Sequence, residues 1–251
     1  MNIKNTTQKI KDKYNTTAKN WNKVWTKSED YNSKIIKFIN NSNPETKFLS
    51  VGIGKGDFES KLKYKNISGV DISKEMIKIC KTNNPKFKLL VRNAEKLPYK
   101  ENSFDIVFAR NYLRNFVNPT KAFKEMHRVL KVGGQLIIIE SAVRNKDEKY
   151  LTKIIRCIDP FRPKFPTHEK LKKLFLKIRL KKIKQQVEGL HTKWVKQFCK
   201  SKNATREQTA KVIELCENLP EWYKKHYHLQ IYKESEEVKS TLTFTFIKGI
   251  K

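Results

Sequence analysis

The sequence predicts an α/β protein in which a mostly parallel sheet is covered by helices on both faces. Three observations carry that prediction. Strand-like apolar runs alternate with helical periods across residues 46–141, and repeated alternation of this kind returns each strand to one sheet. Phe104 to Ala109 and Leu136 to Ile139 are almost unbroken apolar runs, as strands buried on both faces require. The stretch Phe48-Leu49-Ser50-Val51-Gly52-Ile53-Gly54-Lys55-Gly56 places three closely spaced glycines directly behind another such run.

Taken in order, residues 1–45 are rich in Lys, Asn and Thr, with Trp21 and Trp25 one helical turn apart if the segment is helical. Such a pair either packs on the core or closes over a ligand. We assign the segment as an N-terminal helical lid. Ile35, Ile36 and Ile39 form a second amphipathic stretch that ends in the Asn40–Pro44 loop. The first strand then enters the glycines, and Phe58 and Leu62, four apart, predict that a helix follows. Closely spaced glycines serve a tight turn, and they also let backbone N–H groups approach a ligand.

Ile67 to Asp71 is the second strand, and Ser73 is placed to cap the helix that carries Met76, Ile77 and Cys80. Because Ser73 fills the cap role, Asp71 is read as a strand-end carboxylate for ribose hydroxyls. Phe87 to Arg92 is the third strand and Phe104 to Ala109 the fourth. Asn118-Pro119 caps a helix whose Ala122, Phe123, Met126, Val129 and Leu130 hold a 3.6-residue period. Gly133-Gly134 is expected to end it, with the fifth strand at Leu136 to Ile139.

Beyond Glu140 the pattern changes. A proline-rich loop spans 159–166, Leu171 to Lys177 reads as helix, and Ile178 to Val187 and Thr241 to Ile247 read as strands. Between them, Thr205 and Gln208 have capping-box spacing ahead of Val212, Ile213, Cys216 and Leu219. The insert of about 188–240 is therefore expected to be helical.

Composition narrows the function. The chain has 251 residues, 55 Lys and Arg against 25 Asp and Glu, and a formal charge of +30. That excess is either a solvated basic surface or the signature of an acidic partner such as nucleic acid, an acidic protein or an anionic substrate. Cys80, Cys157, Cys199 and Cys216 form no C-x-x-C pair, so no metal site or disulfide framework is expected, and a reducing, cytoplasmic setting is. The longest aliphatic run is too short to span a bilayer.

With these pieces placed, residues 46–141 resemble a class I S-adenosylmethionine-dependent methyltransferase. The glycine loop resembles that family's first motif, and Gly69-Val70-Asp71-Ile72-Ser73 its second. Asn93-Ala94-Glu95-Lys96-Leu97-Pro98 with Asn102-Ser103-Phe104-Asp105 resembles the third, and Arg128-Val129-Leu130 through Gly134 the later helix turn. A nicotinamide-binding unit would want Gly or Ala at Asp57. Asn93-Ala94-Glu95 and Leu113-Arg114-Asn115 are similar to the ubiquinone/menaquinone-biosynthesis C-methyltransferase group.

The resemblance implies a Rossmann-like, doubly wound, mostly parallel seven-stranded sheet with an antiparallel final strand. Residues 1–45 would be the lid, 46–141 the cofactor-binding core, and 142–251 the part that completes the sheet and shapes the acceptor site. It also implies S-adenosyl-L-methionine as cofactor. Val51, Gly52, Gly54 and Gly56 would line the methionine and ribose, and Asp71 would hold the ribose. Ile72 and Met76 would flank adenine, Asn93 and Ala94 would read its edge, and Arg110 would lie under the sulfonium. One departure is Ser50, which stands where the family has an acid. Arg114, Tyr112 and Trp21 are the acceptor candidates, with Arg114 either pairing a nearby acid such as Glu140 or orienting an anionic substrate. The expected activity is methyl transfer to a small molecule. A methyltransferase docking RNA or an acidic protein on the basic C-terminal region, and a cofactor-binding protein without catalysis, are the alternatives.

Overall fold

The apolar runs of the sequence become the middle of one sheet in a computed structural model, which describes residues 3–18, 29–160 and 163–251. The strands are β1 (Lys47–Val51), β2 (Asn66–Asp71), β3 (Lys88–Val91), β4 (Phe104–Arg110), β5 (Leu130–Ser141), β6 (Lys181–Lys193), β7 (Gln230–Tyr232) and β8 (Glu237–Ile250). Their order is β3-β2-β1-β4-β5-β8-β6, with β7 paired to another part of β8. The first five are parallel, and β8 is antiparallel to β5, β6 and β7. The chain winds outward from β1 to β3 and then crosses to β4 on the other side of β1. Open α/β sheets bind ligands at such a reversal, beyond the C-terminal ends of the strands.

The described helices are α1 (Ile3–Thr17), α2 (Glu29–Ile39), α3 (Lys74–Asn83), α4 (Pro119–Val129), α5 (Glu148–Arg156), α6 (His168–Lys177), α7 (Val195–Ser201), α8 (Arg206–Glu217) and α9 (Glu221–His226). Alternation along each strand separates two cores. On one face Leu49, Val51, Val107 and Ile138 meet Phe123 and Met126 of α4 and Phe175 of α6. On the other Phe48, Phe108 and Ile137 meet Ile35 and Ile39 of α2. Full burial of each such side chain contributes about 1.5–3 kcal/mol, which is why both faces must be covered. A third cluster lies in the C-terminal part, where Val195, Phe198, Val212, Cys216 and Tyr223 pack against Val238 of β8.

The caps read from sequence are formed. Ser73 Oγ accepts from Met76 N, Asn118 Oδ1 from Lys121 N, and Thr205 and Gln208 make a reciprocal capping box. Four expectations need correction. The helix predicted after the glycines is a single 3-10 turn, Glu59–Lys61. The turn closes at once because Leu62, whose N–H donates to Glu59 O, is extended and leads straight on toward β2. Gly133-Gly134 does not end a helix either. α4 stops at Val129, and β5 starts at Leu130 and runs through an irregularity at Gly133, whose φ is +78°. That early start is supported by Gly133 N donating to Lys251 O and Lys251 N to Gly134 O.

The sheet also has an eighth strand, β7, because Gln230 to Tyr232 finds a free stretch of β8 at Glu237 to Lys239. Finally, β6 and β8 are longer than predicted, so both ends of the expected helical insert are strand. Lys-rich β6 is an edge strand with little apolar alternation beyond Val187, so its extent is set by pairing with β8.

Candidate functional site

β1 delivers the chain into a turn that is tied to its neighbour. Gly52 N and Ile53 N both donate to Val70 O, at 2.8 and 3.1 Å. Gly52, Gly54 and Gly56 have φ of +77°, +58° and +74°. At Gly52 the need for glycine is double, since any Cβ would also overlap the Tyr112 ring. Gly54 faces open space, with no heavy atom of the described residues within 4 Å of a Cβ built there.

Asp71, at the end of β2, joins the two strand ends. Its Oδ2 accepts from Gly54 N at 3.0 Å and its Oδ1 from Ser73 N at 2.9 Å. The residue is 5% exposed. Burial pushes its carboxyl pKa up to about 6, opposed by the N–H groups of Ser73, Gly54 and Ile72. A carboxylate has about four acceptor directions, so capacity beyond these backbone N–H groups is left for a hydroxyl donor. Ile72 and Met76 are buried beside it. Arg92 N donates to Asp71 O at 2.8 Å, which brings the start of the loop after β3 to the same corner. There Asn93 Oδ1 accepts from Glu95 N, and Ala94 is buried.

On the other side of β1, the guanidinium of Arg110 lies 4.6 Å from the Phe58 ring centre, and its Nη1 donates to Asn32 Oδ1 at 3.0 Å. Ser50 Oγ donates to Glu59 Oε1 at 2.7 Å. Glu59 is 4% exposed. Burial raises its pKa, while Arg110 and the Ser50 hydroxyl pull it down. The chain leaves β4 through Asn111, whose φ is +52° and whose N–H donates to Ile139 O. Tyr112 follows and lays its ring over Gly52. It is 8% exposed, and burial, then Asp71, Tyr14 and Glu95, hold its phenol protonated.

Residues 49–138 match the family described as "Methyltransferase domain". The match spans β1 to β5, which places the glycine turn, Asp71 and the β4 end inside one known kind of unit. The chain carries a class I S-adenosylmethionine-dependent methyltransferase domain. It is 32% identical over 152 residues to a demethylmenaquinone methyltransferase of Chlorobaculum tepidum, covering 59% of this chain and 53% of that protein. It is 34% identical over 117 residues to the ubiquinone/menaquinone biosynthesis C-methyltransferase UbiE of Wigglesworthia glossinidia brevipalpis, covering 42% and 47%. The chain thus spans about half the length of the curated relatives it matches. Among solved structures, the YcgJ protein of Bacillus subtilis superposes with a TM-score of 0.79 at 18% identity, over 89% of this chain and 99% of that one. That likeness concerns the fold.

Within the methyltransferase domain, the structure gathers Val51, the three glycines, Asp71, Ile72, Met76, Asn93 and Ala94 around the ends of β1, β2 and β3. Arg110 stands apart, at the β4 side. Tyr112, read from sequence as an acceptor residue, lays its ring over Gly52 of the glycine turn. Trp21 and the side chain of Arg114 lie outside what the structure describes. Sequence reasoning missed Glu59, Tyr14 and Asn15. Asn15 Oδ1 accepts from Ser73 Oγ at 2.8 Å, and Tyr14 Oη donates to Asn115 Oδ1 at 3.0 Å, so α1 bridges the β2 corner and the turn after β4. Glu59 had one signal, the neutral Ser50 at a position where its resemblance implies an acid. Tyr14 and Asn15 had none, because nothing local in a Lys- and Thr-rich segment distinguishes them.

Proposed function

We propose that the chain transfers a methyl group from S-adenosylmethionine to a small, anionic acceptor. The observation that supports this best is Asp71 accepting from both Gly54 N and Ser73 N. It fixes a carboxylate with spare acceptor capacity against an open glycine turn, which suits the two hydroxyls of a ribose. On this reading Val51, Gly52, Gly54 and Gly56 line the ribose and methionine portion. Ile72 and Met76 flank the base, Asn93 and Ala94 meet its edge, and the Arg110 backbone underlies the sulfur. When bound, the cofactor supplies an electrophilic methyl group. The chain supplies placement, and holding two reactants in line can account for much of such a rate. A base is needed only where the acceptor loses a proton.

The curated relatives named above act, by name, in quinone biosynthesis. For this chain the acceptor is argued from its own residues. Arg114 follows β4 and, as a planar donor fork, suits a carboxylate or phosphate. Arg114→Lys is expected to keep S-adenosylhomocysteine affinity and lose turnover, and normal turnover by that variant would remove Arg114 from the acceptor site. Residues 1–45 are read as a lid, supported by the two hydrogen bonds of α1 across the cleft, ahead of a core at 46–141 and an acceptor-shaping part at 142–251. Among the described residues no helix is long and apolar enough to cross a membrane, and the four cysteines are free thiols.

The charge of +30 favours a second reading, methylation of RNA or an acidic protein docked on the basic C-terminal region. The deciding experiment supplies the protein and methyl-labelled S-adenosylmethionine to separated metabolite, RNA and protein fractions of a cell extract. Label in the metabolite fraction supports the first reading, and label in RNA or protein the second. Failure to bind S-adenosylhomocysteine by calorimetry would overturn both.

A further inference from the structure

We propose that the outward face of α6, with the adjoining start of α4, docks the chain on an anionic lipid surface. This face holds none of the residues assigned to the cofactor, so the proposal is independent of the methyl-transfer reading. Residues 170–187 carry eight Lys and Arg and no Asp or Glu. All eight are exposed, while Leu171, Phe175, Ile178 and Leu180 of the same stretch are buried. The helical period therefore turns Lys170, Lys173 and Lys177 outward together. Phe175 meets Phe123 of α4 edge-on, with ring centres 5.9 Å apart, and Lys177, Lys121 and Lys124 line one open groove between the two helices.

These charges have no counter-ions of their own. Among the described residues, none of the five lysines has a carboxylate oxygen within 4.0 Å. The acids that flank the stretch are Glu169 and Glu188. Glu169 Oε1 accepts from Asn145 N at 3.5 Å, and Glu188 is held by Lys34 at 3.5 Å. Lys170, Lys173 and Lys177 follow one another at three and four residues, a spacing at which like charges on a helix repel. No described carboxylate offsets that repulsion, and an external array of anions does.

Three features select a lipid surface among the polyanions. The cations of this face are lysines, flexible point charges that can follow mobile headgroup phosphates, whereas protein interfaces are depleted in Lys and favour the planar fork of Arg. Phe175 is the only aromatic residue in 170–187 and is buried, so that stretch offers no ring on which a nucleic-acid base could stack. Leu176, 56% exposed, lies three residues after Lys173 and is therefore its neighbour on the helix surface. On β6, Gln185 Nε2 donates to His168 O at 3.3 Å, and strand alternation sets Val187, 47% exposed, on that same side. Bare aliphatic groups among lysines gain nothing from a phosphate backbone, but they can enter the boundary between headgroups and acyl chains.

Sedimentation of the full chain with lipid vesicles tests this, using phosphatidylcholine alone and phosphatidylcholine mixed with phosphatidylglycerol, with no cofactor present. Binding is expected to the mixed vesicles only. Lys170→Gln/Lys173→Gln/Lys177→Gln should weaken it about tenfold or more, since each lysine near an anionic surface adds to the affinity. Leu176→Gln, which leaves every charge in place, should weaken it about threefold. Lys78→Gln/Lys81→Gln/Lys86→Gln, which removes the same charge from the region of α3, should bind as the wild type does. Equal binding to both kinds of vesicle, binding to neither, equal losses in the two triple variants, or wild-type binding by Leu176→Gln overturns the proposal. Tight binding of mixed RNA at physiological salt, lost in the Lys170 triple variant, assigns the face to nucleic acid and overturns it as well. Should that triple variant lose its fold, Leu176→Gln carries the comparison. Because no cofactor takes part, failure here leaves the methyl-transfer reading standing, and failure to bind S-adenosylhomocysteine leaves vesicle binding standing.

Discussion

At the scale of single residues the site is built from buried carboxylates whose neighbours are mostly backbone N–H groups. Asp71 is the clearest case. Its pKa is about 6 against an ordinary 3.8, so between those values the folded chain holds more protons than the unfolded one. Stability from this group is therefore greatest below about pH 4 and falls as pH rises through 6. The wild type measured against Asp71→Ala should lose stability over pH 4 to 7, by at most about 3 kcal/mol. Denaturant melts of both proteins at several pH values would check the sign, and a rising difference would contradict the assignment. The same variant should bind S-adenosylhomocysteine more weakly by about 1.5–3 kcal/mol, the range for hydrogen bonds to a charged group. Unchanged affinity in folded protein would remove Asp71 from the ribose site.

At the scale of elements, the glycine turn and the segment after β4 behave as one unit. Tyr112 covers Gly52, and the 3-10 turn Leu113–Asn115 is held by Leu113 N donating to the buried Glu140 Oε2 at 2.8 Å. Gly52→Ala must place a Cβ against the Tyr112 ring at a φ of +77°. The left-handed backbone alone costs about 1–2 kcal/mol for an L-residue, and the ring contact adds to it. In a Tyr112→Ala background only the backbone part remains. A double-mutant cycle in urea should therefore give a coupling of roughly 0.5–3 kcal/mol between the two positions. Strict additivity would mean that the ring does not rest on the turn in solution.

For the whole molecule the question is what the charge does. Several ion pairs among the described residues are exposed on both sides, such as Lys65–Glu45 and Lys211–Glu214, and pairs of that kind contribute little. The remaining positive charge raises the local concentration of anions generally. If the acceptor is a small anion, mixed RNA should bind weakly near 50 mM salt and not measurably at physiological salt, because counterion release vanishes steeply over that range. Filter binding across a salt series would check it, and tight binding at physiological salt would favour the RNA reading.

What was legible in the sequence was local. Apolar runs marked β1 to β5, the 3.6-residue period marked α4, and Ser73, Asn118 and Thr205 announced their helices, because each signal is complete within a few residues of chain. Asp71 was legible for the same reason, as a carboxylate closing an apolar run at a fixed distance from the glycines. The tertiary structure decided everything that depends on two distant segments meeting. The crossover from β1 to β2 kept only a 3-10 turn, closed by the extended Leu62. β6 and β8 took their lengths from each other, since Lys-rich β6 has no apolar pattern to bound it. The Tyr112 ring, Tyr14 and Asn15 reached the cleft from outside β1 and β2. Glu59 came to stand beside Ser50 because the turn between them folds back. A side chain's chemistry is written in the sequence, but its partner is chosen by the path of the chain.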